Sequence, residues 1–166
     1  MEQQEKQIVT FSLGKGEYGI DVEQVREVVT YRECTKIPKV PSFISGLMNL
    51  RGQVVLVVNL REFLDISSEE EGNSKTIIII DAPKRNFGFL VEEVFGVTRL
   101  SAKDIEPPPV SSQDIIKGVF KKGEDLVMIM DAHRVMELLE KMLGDSVNVV
   151  EGEVKRLSKS ERQKAG

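Results

Sequence analysis

The string YGIDVEQVREVV at residues 18–29 returns as FGFLVEEVFGV at residues 87–97. A shift of 69 (88 − 19) sets Gly19 on Gly88, Tyr18 on Phe87, Val22 on Val91, Glu23 on Glu92, Val25 on Val94 and Val28 on Val97. Further on, Gly46 meets Gly118 and Gly52 meets Gly123, and VVLVVN at 54–59 stands opposite LVMIMD at 126–131. One such string would be ordinary in a valine-rich chain. Two blocks in the same order, at nearly the same shift, indicate internal duplication. A half of about 70 residues is marginal as an independent unit, so the two halves are expected to share a core.

Each half carries the same kinds of element. Residues 7–13 alternate, with Val9, Phe11 and Leu13 on one face, as a half-buried strand does. GKGE at 14–17 supplies the turn, and Asp21 can cap a short helical turn with Gln24 three residues on. Val28, Val29 and Thr30 are β-branched and favour a strand. Residues 47–50 and 54–59 read as a hairpin around Arg51-Gly52. In the second half, 76–80, 87–91, 94–100, 116–121 and 126–130 read as strands, the last two joined at Lys122-Gly123. Asp131 caps one convincing helix, with Val135, Leu138, Leu139 and Met142 as its expected apolar face and Gly144 as its end. The pattern predicts an all-β fold: two small antiparallel barrels with a shared core and one C-terminal helix. The polar stretch DISSEEEGNSK at 65–75 is the expected internal boundary, giving subdomains at about 7–75 and 76–131 and a helix at 132–143, within a domain spanning 5–150. Residues 151–166 have little to bury and are expected to be a disordered tail.

Composition narrows the function. Hydrophobic residues are 40% of the 166, aromatics only 5% and Trp is absent, so the core must be aliphatic. A net charge of −4 argues against nucleic acid or an anionic membrane surface as the main partner. Cys34 is the only cysteine, and the charged MEQQEKQ start has no apolar signal segment; the expected location is cytoplasmic. The apolar runs VVLVV and IIII are strand-sized.

Catalytic chemistry finds little support. Gly14 to Gly19 spell G-x-G-x-x-G after a strand, but the dinucleotide mechanism needs a helix whose N-terminus meets the pyrophosphate, and none of sufficient length follows. His133 lacks a second histidine, Cys34 lacks a C-x-x-C partner, and Glu69, Glu70 and Glu71 lack calcium-loop spacing. No enzyme activity, cofactor or metal is expected. A nucleotide-using enzyme built on the Gly14–Gly19 loop is the competing expectation from another class. What remains is surface: Arg51 at a hairpin tip, and the repeated valines, which are either core or the lining of an apolar groove that would take an amphipathic helix.

The strings at 18–29 and 87–97, FISGLMNLRGQVVLVVNLREFL at 43–64, G-x-x-N-L-R-G at 46–52 and the later IKGV closely resemble the CheW family of bacterial chemotaxis coupling proteins. The resemblance spans about residues 7–144. It implies two SH3-like five-stranded β-barrels sharing a core and a non-catalytic bridging role between the cytoplasmic tips of methyl-accepting chemoreceptors and the histidine kinase CheA, whose regulatory domain is CheW-like. It also implies recruitment to receptor arrays at the inner face of the membrane without insertion. The receptor-binding groove would be lined by Val9, Val22, Val25, Val28, Val94 and Val97. Glu27 and Arg51 would be polar contacts beside it, with Asn49 fixing the Arg51 turn. Loops 37–43 and 106–118 are the candidates for the kinase. An adaptor of the same family serving a different motility or signalling pathway fits the residues equally well.

Overall fold

The computed structural model describes residues 5–67, 74–83, 85–108 and 114–144. In chain order these form β1 (Glu5–Leu13), β2 (Gly16–Asp21), a 3-10 turn (Val22–Gln24), β3 (Val25–Thr30), β4 (Ile44–Leu50), β5 (Gln53–Asn59) and the single turn α1 (Leu60–Phe63). Then follow β6 (Thr76–Ile80), β7 (Phe87–Val91), β8 (Glu93–Ser101), a second 3-10 turn (Ala102–Asp104), β9 (Ile116–Lys122), β10 (Asp125–Met130) and α2 (Ala132–Leu143). The expected tail at 151–166 and the acidic run at 69–71 lie outside the described residues.

The strands make two five-stranded sheets, β8-β1-β2-β10-β9 and β3-β6-β7-β5-β4. Shifting each strand to its repeat partner (β1 to β6, β2 to β7, β3 to β8, β4 to β9, β5 to β10) converts one order into the other, so the duplication is visible in the pairing itself. The halves are not the spatial units, however. Strand β3 leaves its own half and pairs with β6, while β8 pairs with β1. Each sheet therefore takes two strands from one half and three from the other, and residue 75 separates no two sheets. The expected division into barrels at 7–75 and 76–131 fails here. The reason is that a loop boundary marks where the chain is polar, not which edge its strands complete.

Each sheet curls towards closure in the same way. The segment after β3 bridges to β4 through Thr35 and Leu47, and the segment after β8 bridges to β9 through Glu106 and Val119. Where these segments cross, no side chain fits. A Cβ on Gly46, whose φ is 135°, would sit 2.3 Å from the Thr35 carbonyl oxygen, and one on Gly118 would sit 2.4 Å from Ile105 Cγ2. The repeated glycines are thus explained by close approach of another strand.

Alternation sorts the apolar residues into three cores. Val55, Val57, Ile77, Ile79, Leu90, Met48 and Leu50 pack together on one face of the second sheet. Ile8, Phe120, Val127 and Ile129 do the same in the first. The opposite faces meet in one large shared cluster containing Phe11, Leu13 and Ile20 from the first sheet, Val58, Ile78, Ile80 and Phe89 from the second, and Val135 and Leu139 from α2. The helix buries Ala132, Val135, Met136, Leu139 and Leu143. This corrects the expected face: Met142 is 62% exposed and Leu138 is half-buried. Burial of Ala132 at the first position sets the rotation of the helix, which carries Met136 and Leu143 inward.

Both edge strands contain a bulge at equivalent places, between Val25 and Glu27 in β3 and opposite Thr10 and Phe11 in β8. The extra residues are Arg26 and Phe95. Arg26 is tied down, its Nη1 donating to Asn86 Oδ1 at 2.9 Å and its Nη2 lying 3.5 Å from Asp81 Oδ1. Phe95 is 51% exposed, with Lys122 Nζ 5.9 Å from its ring centroid.

The packing makes Gly88 a stability probe. A Cβ there would meet Ile77 Cγ2 at 2.6 Å and Val55 Cγ1 at 3.3 Å. Gly88→Val is expected to destabilise the protein by about 1–3 kcal/mol through overpacking. In urea the midpoint should fall with the slope unchanged.

Candidate functional site: the seam between the barrels

The seam is built by the residues that the two sheets direct at each other. In β1, Val9, Phe11 and Leu13 face the shared core. Val97 of β8 stands directly opposite Val9, and Val94 opposite Phe11. In the second sheet Val25 is opposite Ile80 and Val28 opposite Ile78, both members of the shared core. All four repeat valines therefore lie on the core-facing side of an edge strand. Val25 and Val94 are partly buried and pack against the shared cluster. Val28 is 41% exposed and Val97 58% exposed, while Val9 is only 5% exposed. Along β3 and β8 an apolar surface therefore runs from the core to solvent. Val22 is half-buried in the 3-10 turn where the chain passes from one sheet to the other.

Glu27 lies on the other side of β3, opposite Ile79. Its Oε2 accepts from Arg51 Nη2 in an ion pair that reaches across to the β4–β5 turn. Arg51 has φ 50° and precedes Gly52 at φ 83°; Gly52 N donates to Asn49 Oδ1 at 2.9 Å, which fixes this left-handed turn. The hydrogen bond and charge of Glu27 hold the guanidinium still more firmly protonated than usual. The Arg51 side chain is nonetheless mostly exposed, so a positioned cation is presented at the β3 edge, on the side away from Val25 and Val28.

One link was not legible locally. Gln24 Nε2 donates to Asp131 Oδ1 at 2.9 Å, and Gln24 Oε1 accepts from Ala132 N at 2.9 Å. The partners are 107 and 108 positions away, beyond any spacing rule. Asp131 also accepts from His133 N and Arg134 N. The other aspartate cap, Asp21, accepts from Glu23 N.

The residues considered for chemistry do not converge. Gly14 to Gly19 form a hairpin turn and a strand, with Gly19 against Ile8, and the helical piece that follows directly is a three-residue 3-10 turn. His133 is exposed, its Nε2 2.8 Å from the Asp81 carbonyl oxygen. Cys34 packs against the second-sheet core, and burial pushes its thiol pKa up. Among the described residues no group of three His, Cys, Asp or Glu could hold a metal ion, and no helix is long and apolar enough to cross a membrane.

Comparison with known proteins follows this geometry. The sequence profile of the CheW-like domain matches residues 7–140. The chemotaxis protein CheW of Klebsiella aerogenes is 30% identical over 146 residues, covering 86% of this chain and 88% of that protein. That of Bacillus subtilis is 34% identical over 137 residues, covering 80% and 87%. Among solved structures, the scaffolding protein TtCheW of Thermoanaerobacter tengcongensis superposes with a TM-score of 0.73 at 33% identity, covering 81% of this chain and 94% of that one.

The α2 cap makes the fold acid-sensitive in a stated direction. Burial raises the Asp131 pKa, but the Gln24 hydrogen bond, the Arg134 and His133 amides and the charge of Lys117 outweigh it, and the group titrates below its ordinary 3.8. A depressed folded pKa contributes stability that is present above that value and lost as pH falls through the folded one. Lowering pH from 5 towards 2 should therefore loosen α2, read as faster amide exchange at residues 132–135. Asp131→Asn should flatten that dependence.

Proposed function

The chain belongs to the CheW-like domain family, and we propose that it couples chemoreceptors to the histidine kinase CheA by receiving the receptor's helical cytoplasmic tip in the inter-barrel groove. It is a non-catalytic adaptor of chemotaxis signalling. The observation that carries the groove assignment is the pair Val28 and Val97: repeat partners, each exposed on the side of its strand from which Val25 or Val94 packs against the shared core.

An amphipathic helix presents apolar side chains every three or four residues. Laid along the seam, it would cover Val28, Val97 and the exposed edges of Val22, Val25 and Val94, with Val9 as the floor. Glu27 and Arg51 form the polar rim. Because Glu27 and the Asn49-held turn already order Arg51, docking a carboxylate or carbonyl on it costs less conformational freedom than docking on a free arginine. The CheW-like regulatory domain of CheA would engage barrel surfaces away from the groove, with loops 37–43 and 106–118 as the candidates. The complex works in the cytoplasm at the inner face of the membrane, recruited through receptors. Each contact is modest, and repetition across an array supplies the net strength.

Two exposed valines give a test that spares the core. Val28→Asp and Val97→Asp should each weaken binding of a soluble receptor-tip fragment by about tenfold or more, since burying a valine contributes roughly 1.5–3 kcal/mol and tenfold is 1.4 kcal/mol. Arg51→Ala should have a smaller effect, and binding to the CheA regulatory domain should be retained in all three. Unchanged receptor affinity across the set, measured by calorimetry, would refute the groove assignment. Val25→Asp should also weaken binding, but part of its effect will be on stability, because Val25 packs against the shared core.

A further inference from the structure

Gln24 is the last residue of the 3-10 turn at which the chain passes between sheets, with Val22 and Val25 close on either side. Its main-chain carbonyl accepts from Asp81 N at 2.8 Å, fastening the turn to the end of β6. Its side chain reaches in another direction altogether. The amide donates to Asp131, the cap of α2, and accepts from Ala132 N, the first helical amide. Ala132 is fully buried, so that N–H has no water to turn to. The position where a capping box places Glu or Gln holds Arg134, a side chain without an acceptor. The Asp131 N–H that such a side chain would serve donates to Ile115 O at 2.8 Å instead, and the crossover turn satisfies the next orphan donor, the Ala132 N–H.

The repeat provides a control within the molecule. At the equivalent crossover Gln24 is matched by Glu93, and the neighbouring Glu92 Oε1 accepts from Gly14 N at 2.8 Å, a tie to the β1–β2 turn and not to a helix. Only one of the two crossovers is bound to α2 in this way.

Resting on the groove reading above, the geometry points to Gln24 as a positioning residue that ties the seating of α2 to the placement of Val22 and Val25 at the head of the groove. A helix that lifts from the shared core releases the turn, and a ligand that holds the turn holds the helix. The coupling is reciprocal by linkage.

The test uses the full chain with labelled valine methyls. In the free protein, Gln24→Ala should shift the Val22 and Val25 methyl resonances. It should also speed exchange of the Ala132 and Arg134 amides at least fivefold, on the scale of ordinary coupling, and leave β5 and β6 amides unchanged. Gln24→Glu keeps an acceptor for Ala132 but sets a carboxylate against Asp131. The double variant Gln24→Glu with Asp131→Asn restores a donor to that pair and should recover the wild-type methyl positions, a rescue that also covers the case where Gln24→Ala fails to fold. A receptor-tip fragment should slow the α2 amides in the wild type. Its affinity should fall about five- to tenfold in Gln24→Ala. Unmoved Val22 and Val25 methyls in the free variants, or a fragment that binds the wild type without slowing α2, would overturn the tie while leaving the groove standing. A fragment that fails to bind the wild type, with methyls and amides still coupled, would sink the receptor reading and uphold the tie.

Discussion

The exchange of edge strands governs the rest of this structure. A strand's backbone amides and carbonyls need partners, and β3 and β8 find theirs on β6 and β1 of the opposite half. Neither half can complete a sheet by itself, so the two barrels form one cooperative body. The large shared cluster follows, because the exchange brings the inner faces of both sheets against each other with α2 beside them. The same exchange puts β3 and β8 at the margins of the packed faces. There the valines of the repeat change from buried to exposed along a single strand, Val25 inside and Val28 outside, Val94 inside and Val97 outside.

That gradient joins each exposed valine to the packed interior. An apolar surface that is an extension of a packed core is rigid, since its inner residues are held by close neighbours on every side. A partner side chain laid on Val28 or Val97 meets a fixed shape. The Glu27–Arg51 pair plays the matching part for polar contacts, reaching from the edge strand β3 to the turn that leaves the opposite edge strand β4. No catalytic machinery is needed for such a task.

The fold class was legible because the repeat and the strand periodicity are local statements, and the backbone obeyed them. The hairpin 44–59, the cap at Asp131 and the turn at Gly52 are all short-range patterns. The assignment of strands to barrels was not legible, since whether β3 completes its own half or the other depends on distant edges competing for it. The face of α2 was misjudged for a related reason: periodicity admits several rotations, and the choice was made by Ala132 and by Gln24, 108 positions away. The repeat picks out the paired valines, but which of them reach solvent depends on how each is packed against the shared core. Phe95 and Arg26 carry no warning in the sequence that they occupy equivalent bulges.

Those two bulges give an almost symmetric molecule a sense of direction. The same backbone irregularity occurs once in each barrel, and duplication alone would leave the two ends indistinguishable. In one, an arginine is held at the surface by Asn86 and Asp81; in the other, a phenylalanine stands in water beside a lysine. A body built from two like parts thereby acquires a head and a tail, told apart by an ordered arginine at one bulge and an open aromatic ring at the other.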